Sequence, residues 1–266
     1  MSSITSAVRV LRCFSREEPE LRLTDISRRL GLSKSNTHRI ASLLVDARLL
    51  RRDPRSARYR LGLGLFELGA LALSQVGLGP LPIAVMTELG RQTGETVLLG
   101  ILDDYEVVYI HRVESAYLLR VSHAGHPRAP AHATATGKVL LAWRPDADVE
   151  RVIRHGLPRY SDRTITDPAA FRAQLGEVRR QGHALSEHER ETWTRAVAAP
   201  VRDAGGGVVA ALTVAGPSQR LPRAQLPALV AHVVAAADRL SHQLATRPET
   251  APPGLTRGRG PRRHAR

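Results

Sequence analysis

The stretch LRLTDISRRLGLSKSNTHRIASLLVDARLLRRDPRSARYRLG, residues 21–62, decides how the N-terminal end of the chain is read. Thr24 is placed to cap a first helix, with Asp25 in its first turn at the positive end of the dipole. Ile26 and Leu30 supply the buried side, and Gly31 permits the left-handed conformation that ends the helix. Ser33 then caps a second helix, in which Thr37, Ile40, Leu43, Leu44 and Ala47 form the inward stripe. Two short helices joined by a tight glycine turn make a helix-turn-helix. The second helix opens with Ser33, Lys34, Ser35, Asn36, His38 and Arg39, donors of the kind that reach base edges and phosphates from a recognition helix. LLRRD, PRSA and RYRLG read as two short strands around a basic turn, a wing. Arg55 and Arg58 are expected to approach the DNA backbone or minor groove, with Arg51 and Arg52 adding backbone contacts. Asn36 suits a bidentate contact to adenine and equally a phosphate contact; Arg39 is the preferred anchor. The alternative is an ordinary helical hairpin with a solvated charged face, which the order helix, glycine turn, polar-led helix and basic wing disfavours. Upstream, Ile4, Ala7, Val8, Leu11 and Cys13-Phe14 fall near helical spacing behind Ser2 and Ser3. Residues 1–62 are therefore read as a winged helix-turn-helix DNA-binding domain.

Charge agrees once it is located. The formal +14 is concentrated in residues 1–75, with fourteen Arg or Lys against seven Asp or Glu, and in residues 247–266, with six against one. The middle of the chain is nearly neutral. Clustered positive charge suits a polyanion, because neutralised phosphates release condensed counterions. The lone cysteine, Cys13, excludes an intrachain disulfide and a cysteine zinc cluster and is read as core packing. The start MSSITSAVRV lacks a long apolar segment, and the apolar run near 208–214 is too short to span a bilayer. A cytoplasmic protein without membrane contact is expected. The tail, residues 246–266, has the Pro, Gly and Arg content of disorder.

Residues 63–80 read as a linker helix, with Leu65, Leu68, Leu71 and Ala72 on one stripe and Phe66 beside it. This helix is too apolar to stand alone in water, so it is expected to pack on a partner chain, and Gly77–Pro80 breaks it. A dimer suits the reading of two half-sites. Over 81–245 the pattern gives a helix at Ile83–Gln92 and strands at TVLLGILDD, EVVYIHRVES and LLRVSHAG. The helix of HATATGKVLLAW follows, then helices at RVIRHG and PAAFRAQLGEVRRQG. Strands at HALSE, AVAAPV and GVVAALTVAG, the last two joined by RDAGG, precede a long terminal helix. This is an α+β domain around an antiparallel sheet.

HATATGKVLLAW, residues 132–143, carries a Gly-Lys pair like that of a phosphate loop. That loop requires Gly where His132 stands and Ser or Thr where Val139 stands, so nucleotide binding is rejected. What remains is a helix start capped by Thr134 or Thr136, whose amides at 135–138 and dipole suit a small anion. Lys138 is one of only two lysines against 37 arginines; it is read either as added charge at the ligand or as structure. A metal-dependent or hydrolytic enzyme built on His123, His126 and His132 is the rival. The tract is Pro-rich and lacks a carboxylate at ligand spacing, and SEHERE has the residue types of an active site but reads equally as a solvated strand end. No cofactor and no metal are called for.

GLSKSNTHR within the winged helix, followed in order by HATATGKVLLAW, ALSEHE and AVAAPVRDAGGGVVAALTVAGP, resembles the IclR family of transcriptional regulators over residues 4–245. The resemblance implies a GAF-like effector-binding domain over 81–245, homodimers or homotetramers on double-stranded operator DNA, and a small organic acid as effector. It places the effector pocket on Ala135, Thr136, Ser186, Ala196, Thr213 and Ala215, with Gly137 among the helix-start amides and Trp193 nearby. Ala196 and Ala215 stand where some members carry Cys or Ser. With Trp193, they suggest a ligand larger or more apolar than a two- or three-carbon acid. Effector binding is then expected to shift the two wings of a dimer and so change operator affinity.

Overall fold

The structure is a computed structural model that describes residues 3–15, 17–74, 77–78, 82–121 and 127–246. Its N-terminal part has helices α1 (Ser3–Leu11), α2 (Leu23–Leu30) and α3 (Lys34–Asp46). Strands β1 (Glu20–Leu21), β2 (Leu50–Arg52) and β3 (Tyr59–Leu61) form an antiparallel sheet in the order β1-β3-β2. Gly31 ends α2 with φ 66°, where a side chain would be strained. Ser33 caps α3, its hydroxyl accepting from the Asn36 amide at 3.2 Å. The turn between β2 and β3 is held by Asp53, whose carboxylate accepts from the amides of Arg55 (2.8 Å) and Ser56 (2.7 Å). Those two bonds keep the Asp53 carboxyl below its ordinary pKa.

Two local expectations are corrected. Thr24 does not cap α2, which begins one residue earlier behind Arg22 and has no side-chain cap. On α3 the buried residues are Thr37, Ile40, Ala41 and Leu44, while Leu43 is 57 % exposed and Ala47 is exposed. At 100° per residue Leu43 points roughly 110° away from the centre of that stripe, so the inward face belongs to Ala41 instead. Val10, Leu21, Ile26, Ile40, Leu50 and Tyr59 complete the core, and Cys13 packs against it.

Helix α4 (Gly64–Ser74) presents Phe66, Leu68 and Leu71 at 73, 58 and 60 % exposure. The C-terminal part begins with α5 (Pro82–Thr93). Strands β4 (Thr96–Asp103), β5 (Glu106–Val113), β6 (Arg128–Pro130), β7 (Ala184–Glu187), β8 (Thr194–Arg202) and β9 (Val208–Pro217) form one antiparallel sheet in the order β6-β5-β4-β9-β8-β7. The expected strand at LLRVSHAG is not formed over Leu118–Val121, and residues 122–126 lie outside the described residues. The edge of β5 is taken by Arg128–Pro130.

Helices α6 (Ala135–Ala142), α7 (Asp146–His155) and α8 (Pro168–Gln181) follow β6, and α9 (Leu226–Ala245) closes the domain. The two faces of the sheet bury separate cores. Val197, Ala199 and Val201 of β8 and Leu212 and Val214 of β9 pack with α5 and α9. Ala198 and Ala211 point the other way, toward α6 and α8. Both strands are thus covered on both sides, which is why they read as near-continuous apolar runs rather than alternating ones. Among the described residues no helix is long and apolar enough to cross a membrane.

Candidate functional site

The first turn of α6 is fixed by Thr134. Its hydroxyl accepts from the Gly137 amide at 3.1 Å and donates to the Pro130 carbonyl at 3.1 Å, while its own carbonyl accepts from Lys138 N at 3.0 Å. Of the four amides expected to face a ligand, those of Gly137 and Lys138 are therefore occupied. Those of Ala135 and Thr136 have no acceptor within the helix. The Thr136 hydroxyl lies 2.8 Å from that of Thr213 on β9 and 3.3 Å from the Tyr109 hydroxyl on β5. Three elements thus meet at the helix start.

Beside it lies a cavity of about 40 Å³. Ala135, Thr136, Ser186, Ala196, Thr213 and Ala215 all line it, brought together from α6, β7, β8 and β9. Gly137 and Trp193 do not. Gly137 lies against the Ala131 backbone, and Trp193 is 36 % exposed with its carbonyl accepting from Ser218 N. The suggestion of a bulkier, more apolar ligand loses its Trp193 argument, although Leu98, Val121, Ala196 and Ala215 do give the cavity an apolar wall. Tyr109, Thr134, Thr194, Arg190 and Glu191 also line it, and the sequence reading did not single out Tyr109, Arg190 or Glu191 for the cavity. Burial pushes the Tyr109 phenol well up. The Thr136 hydroxyl and then the Arg190 charge act against this, and the Glu191 charge adds to it more weakly. The phenol therefore stays neutral.

Lys138 does not reach the cavity lining. It is 1 % exposed, and its ammonium donates to Glu189 Oε1 at 2.5 Å and to the Leu185 carbonyl at 3.1 Å, tying α6 to β7 and the turn after it. A larger open groove of about 510 Å³ is bordered by Arg195 and Arg223, both of which are paired with Glu187. His123 and His126 lie outside the described residues. His132 is buried, its Nε2 donating to the Pro158 carbonyl at 3.0 Å, with Tyr160 and Phe171 around the ring. Among the described residues no group of three or more His, Cys, Asp or Glu is placed to hold a metal ion.

Burial, offset by the Pro158 bond and helped by the Lys138 charge, depresses the His132 pKa below its ordinary value. The folded state then refuses a proton that the unfolded state accepts below about pH 6.5, so stability rises with pH through that window. Wild-type stability is expected to fall between pH 7 and pH 5, and a His132→Gln variant to lose less over the same interval. Urea midpoints at the two pH values check this; parallel losses would remove His132 as the cause.

On α3, Lys34, Ser35, His38 and Arg39 are exposed and Asn36 partly so; Arg39 Nη2 donates to Asn36 Oδ1 at 3.3 Å. Arg28, Arg29 and Arg60 have carboxylate partners within 4.0 Å. Among the described residues Lys34, Arg39, Arg51, Arg55 and Arg58 have none, so the charge on the recognition helix and wing is not neutralised within the chain.

Residues 71–242 match the family described as Bacterial transcriptional regulator IclR C-terminal, and residues 3–54 match the IclR helix-turn-helix domain. The chain is 38 % identical over 246 residues to the HTH-type transcriptional regulator KdgR of Escherichia coli, covering 92 % of this chain and 93 % of that protein. It is 35 % identical to XynR of the same organism, covering 85 % and 90 %. Among solved structures it is similar to an IclR homolog complexed with 4-hydroxybenzoate from Microbacterium hydrocarbonoxydans. That match has 32 % identity, a TM-score of 0.76 and coverage of 91 % and 99 %. With both domain profiles matched in order and full-length relatives at this identity, the chain belongs to the IclR family of transcriptional regulators.

Proposed function

We propose that this regulator binds operator DNA through α3 and the wing as a homodimer or homotetramer, and that a small organic acid in the α6 cavity modulates that binding. The observation that carries the reading is the convergence of Ala135, Thr136, Ser186, Ala196, Thr213 and Ala215 on one cavity. Ala135 and Thr136, whose amides have no acceptor within the helix, line it at the positive end of the α6 dipole. A relative's complex with 4-hydroxybenzoate supports an acid as the ligand class. The exposed Phe66, Leu68 and Leu71 on α4 support a second copy as the partner that covers them. An acid that prefers one arrangement of the paired chains shifts operator affinity by its differential affinity for the two arrangements, and DNA alters acid affinity reciprocally.

Gel-shift titrations of the full chain on DNA from immediately upstream of its own gene, with and without short carboxylic acids, test the reading. A shift at low salt that an acid changes is the expected result; no shift at low salt, where phosphate contacts are strongest, overturns it. Arg39→Ala is expected to weaken binding roughly 10-fold or more. If Arg39 reads a base, the loss is confined to specific DNA; if it holds phosphate, all sequences weaken and the salt slope falls by about one.

A further inference from the structure

We propose that Arg190 is the fixed counter-charge of the effector cavity, and that Glu191 beside it restricts the ligand to a monocarboxylate that also carries a hydrogen-bond donor. The inference rests on the cavity being the effector site. Both residues sit in the turn between β7 and β8 and line the cavity. Arg190 Nη1 is fully buried yet has no hydrogen-bond partner, and no carboxylate lies within 4.0 Å of the guanidinium among the described residues. Arg195 is paired with Glu187, Arg220 with Glu95 and Arg120 with Glu114, although Arg120 Nε is itself buried without a partner. A buried guanidinium N–H left unpaired in a polar cavity calls for an explanation, and a ligand carboxylate supplies it with a charge-assisted bond.

Tyr109 lines the same cavity, and its hydroxyl is 3.3 Å from that of Thr136 at the helix start. Arg190, Tyr109, Ala135 and Thr136 thus line one cavity. The ligand carboxylate pairs with the Arg190 guanidinium there. Glu191 lines the same cavity and has no ion pair among the described residues; it repels a second carboxylate and accepts from a hydroxyl or ammonium group. The ligand class is thus a hydroxy- or amino-monocarboxylic acid, with dicarboxylates excluded.

The test is calorimetry on the full chain with two matched series. One is 4-hydroxybutyrate, 4-aminobutyrate, butyrate and succinate; the other is 4-hydroxybenzoate, benzoate and terephthalate. The expected order in the series that fits is donor-bearing monoacid over plain monoacid over diacid, with the hydroxy and amino members separating the two donor sources. Arg190→Gln should weaken the best monoacid roughly 10- to 100-fold and Arg190→Lys less. Neither should lower the melting temperature of the unliganded protein, since the wild-type Nη1 makes no bond there. Glu191→Gln should admit the diacid. Equal acid binding by wild type and Arg190→Gln overturns this inference and leaves the acid-effector reading standing, and a diacid bound as tightly as its hydroxy partner overturns the role of Glu191. If no acid in either series binds the wild type, the acid-effector reading itself fails.

Discussion

Lys138→Met is expected to destabilise the effector domain by about 3–5 kcal/mol, because it breaks a buried ion pair by removing one partner only. The Lys138 side chain is 1 % exposed and that of Glu189 9 %, with 2.5 Å between Nζ and Oε1. Glu189 Oε2 is buried and has no hydrogen-bond partner, so without Lys138 the carboxylate has no ion-pair partner within 4.0 Å among the described residues. The Leu185 carbonyl loses its donor as well. At roughly 2–4 °C per kcal/mol for a domain of this size, the melting temperature should fall by about 10 °C. The double variant Lys138→Met/Glu189→Leu should recover most of the loss, since an apolar pair of similar volume removes both charges together. Additive single-variant losses in a double-mutant cycle would show that the pair is not coupled. The pair also fastens to α6 the segment that carries Ser186 and leads into Arg190 and Glu191. Any acid response should therefore weaken in Lys138→Met even at temperatures where the domain remains folded.

The winged helix was legible because its decisive signals are local: Gly31 at a left-handed turn, Ser33 as a cap and Asp53 at the wing tip each act within four residues of themselves. The cap of α6 was legible for the same reason as a choice between Thr134 and Thr136, and it is Thr134. The phase of α3 was misread by one position, since Ala41 is too small to mark a core stripe in the sequence while the exposed Leu43 does so falsely. The third strand was misplaced because its identity depends on which segment reaches the edge of β5, a tertiary matter. In the pocket the small and hydroxylated residues came with the family motif. Arg190 and Glu191 lie in SEHERE, where charged neighbours look like a solvated turn, and only the packing of that turn over the cavity separates them from His188 or Glu187. Lys138 did leave a signal. In a chain with 37 arginines, a lysine within an apolar helix marks a place where a compact ammonium fits and a planar guanidinium fork does not.

Gly137→Ala should be the most damaging conservative change in the effector domain, against the usual rule. In an ordinary helix interior, alanine for glycine adds about 1 kcal/mol of stability. A Cβ at Gly137, however, would stand 2.1 Å from the Ala131 carbonyl oxygen, 2.3 Å from its Cα and 2.5 Å from its carbonyl carbon. All three are backbone atoms, so no rotamer change relieves the overlap and the first turn of α6 must move as a body. That movement strains the Thr134 cap on Gly137 N and the 2.8 Å contact between Thr136 and Thr213. A loss of about 3 kcal/mol or more is expected, at or beyond the upper end for overpacking, together with loss of any acid response. Gly176→Ala supplies the control. Gly176 lies on an exposed face of α8 with nothing within 4 Å of a built Cβ, so the same substitution there should stabilise by about 1 kcal/mol. Urea denaturation of the two variants should give shifts of opposite sign; a Gly137→Ala protein as stable as wild type would mean that α6 does not sit this close to Ala131. The Gly-Lys pair that imitates a nucleotide loop is thus accounted for without a phosphate. The glycine lets the helix start lie against backbone, and the lysine pins that helix to the turn carrying the charged wall of the cavity.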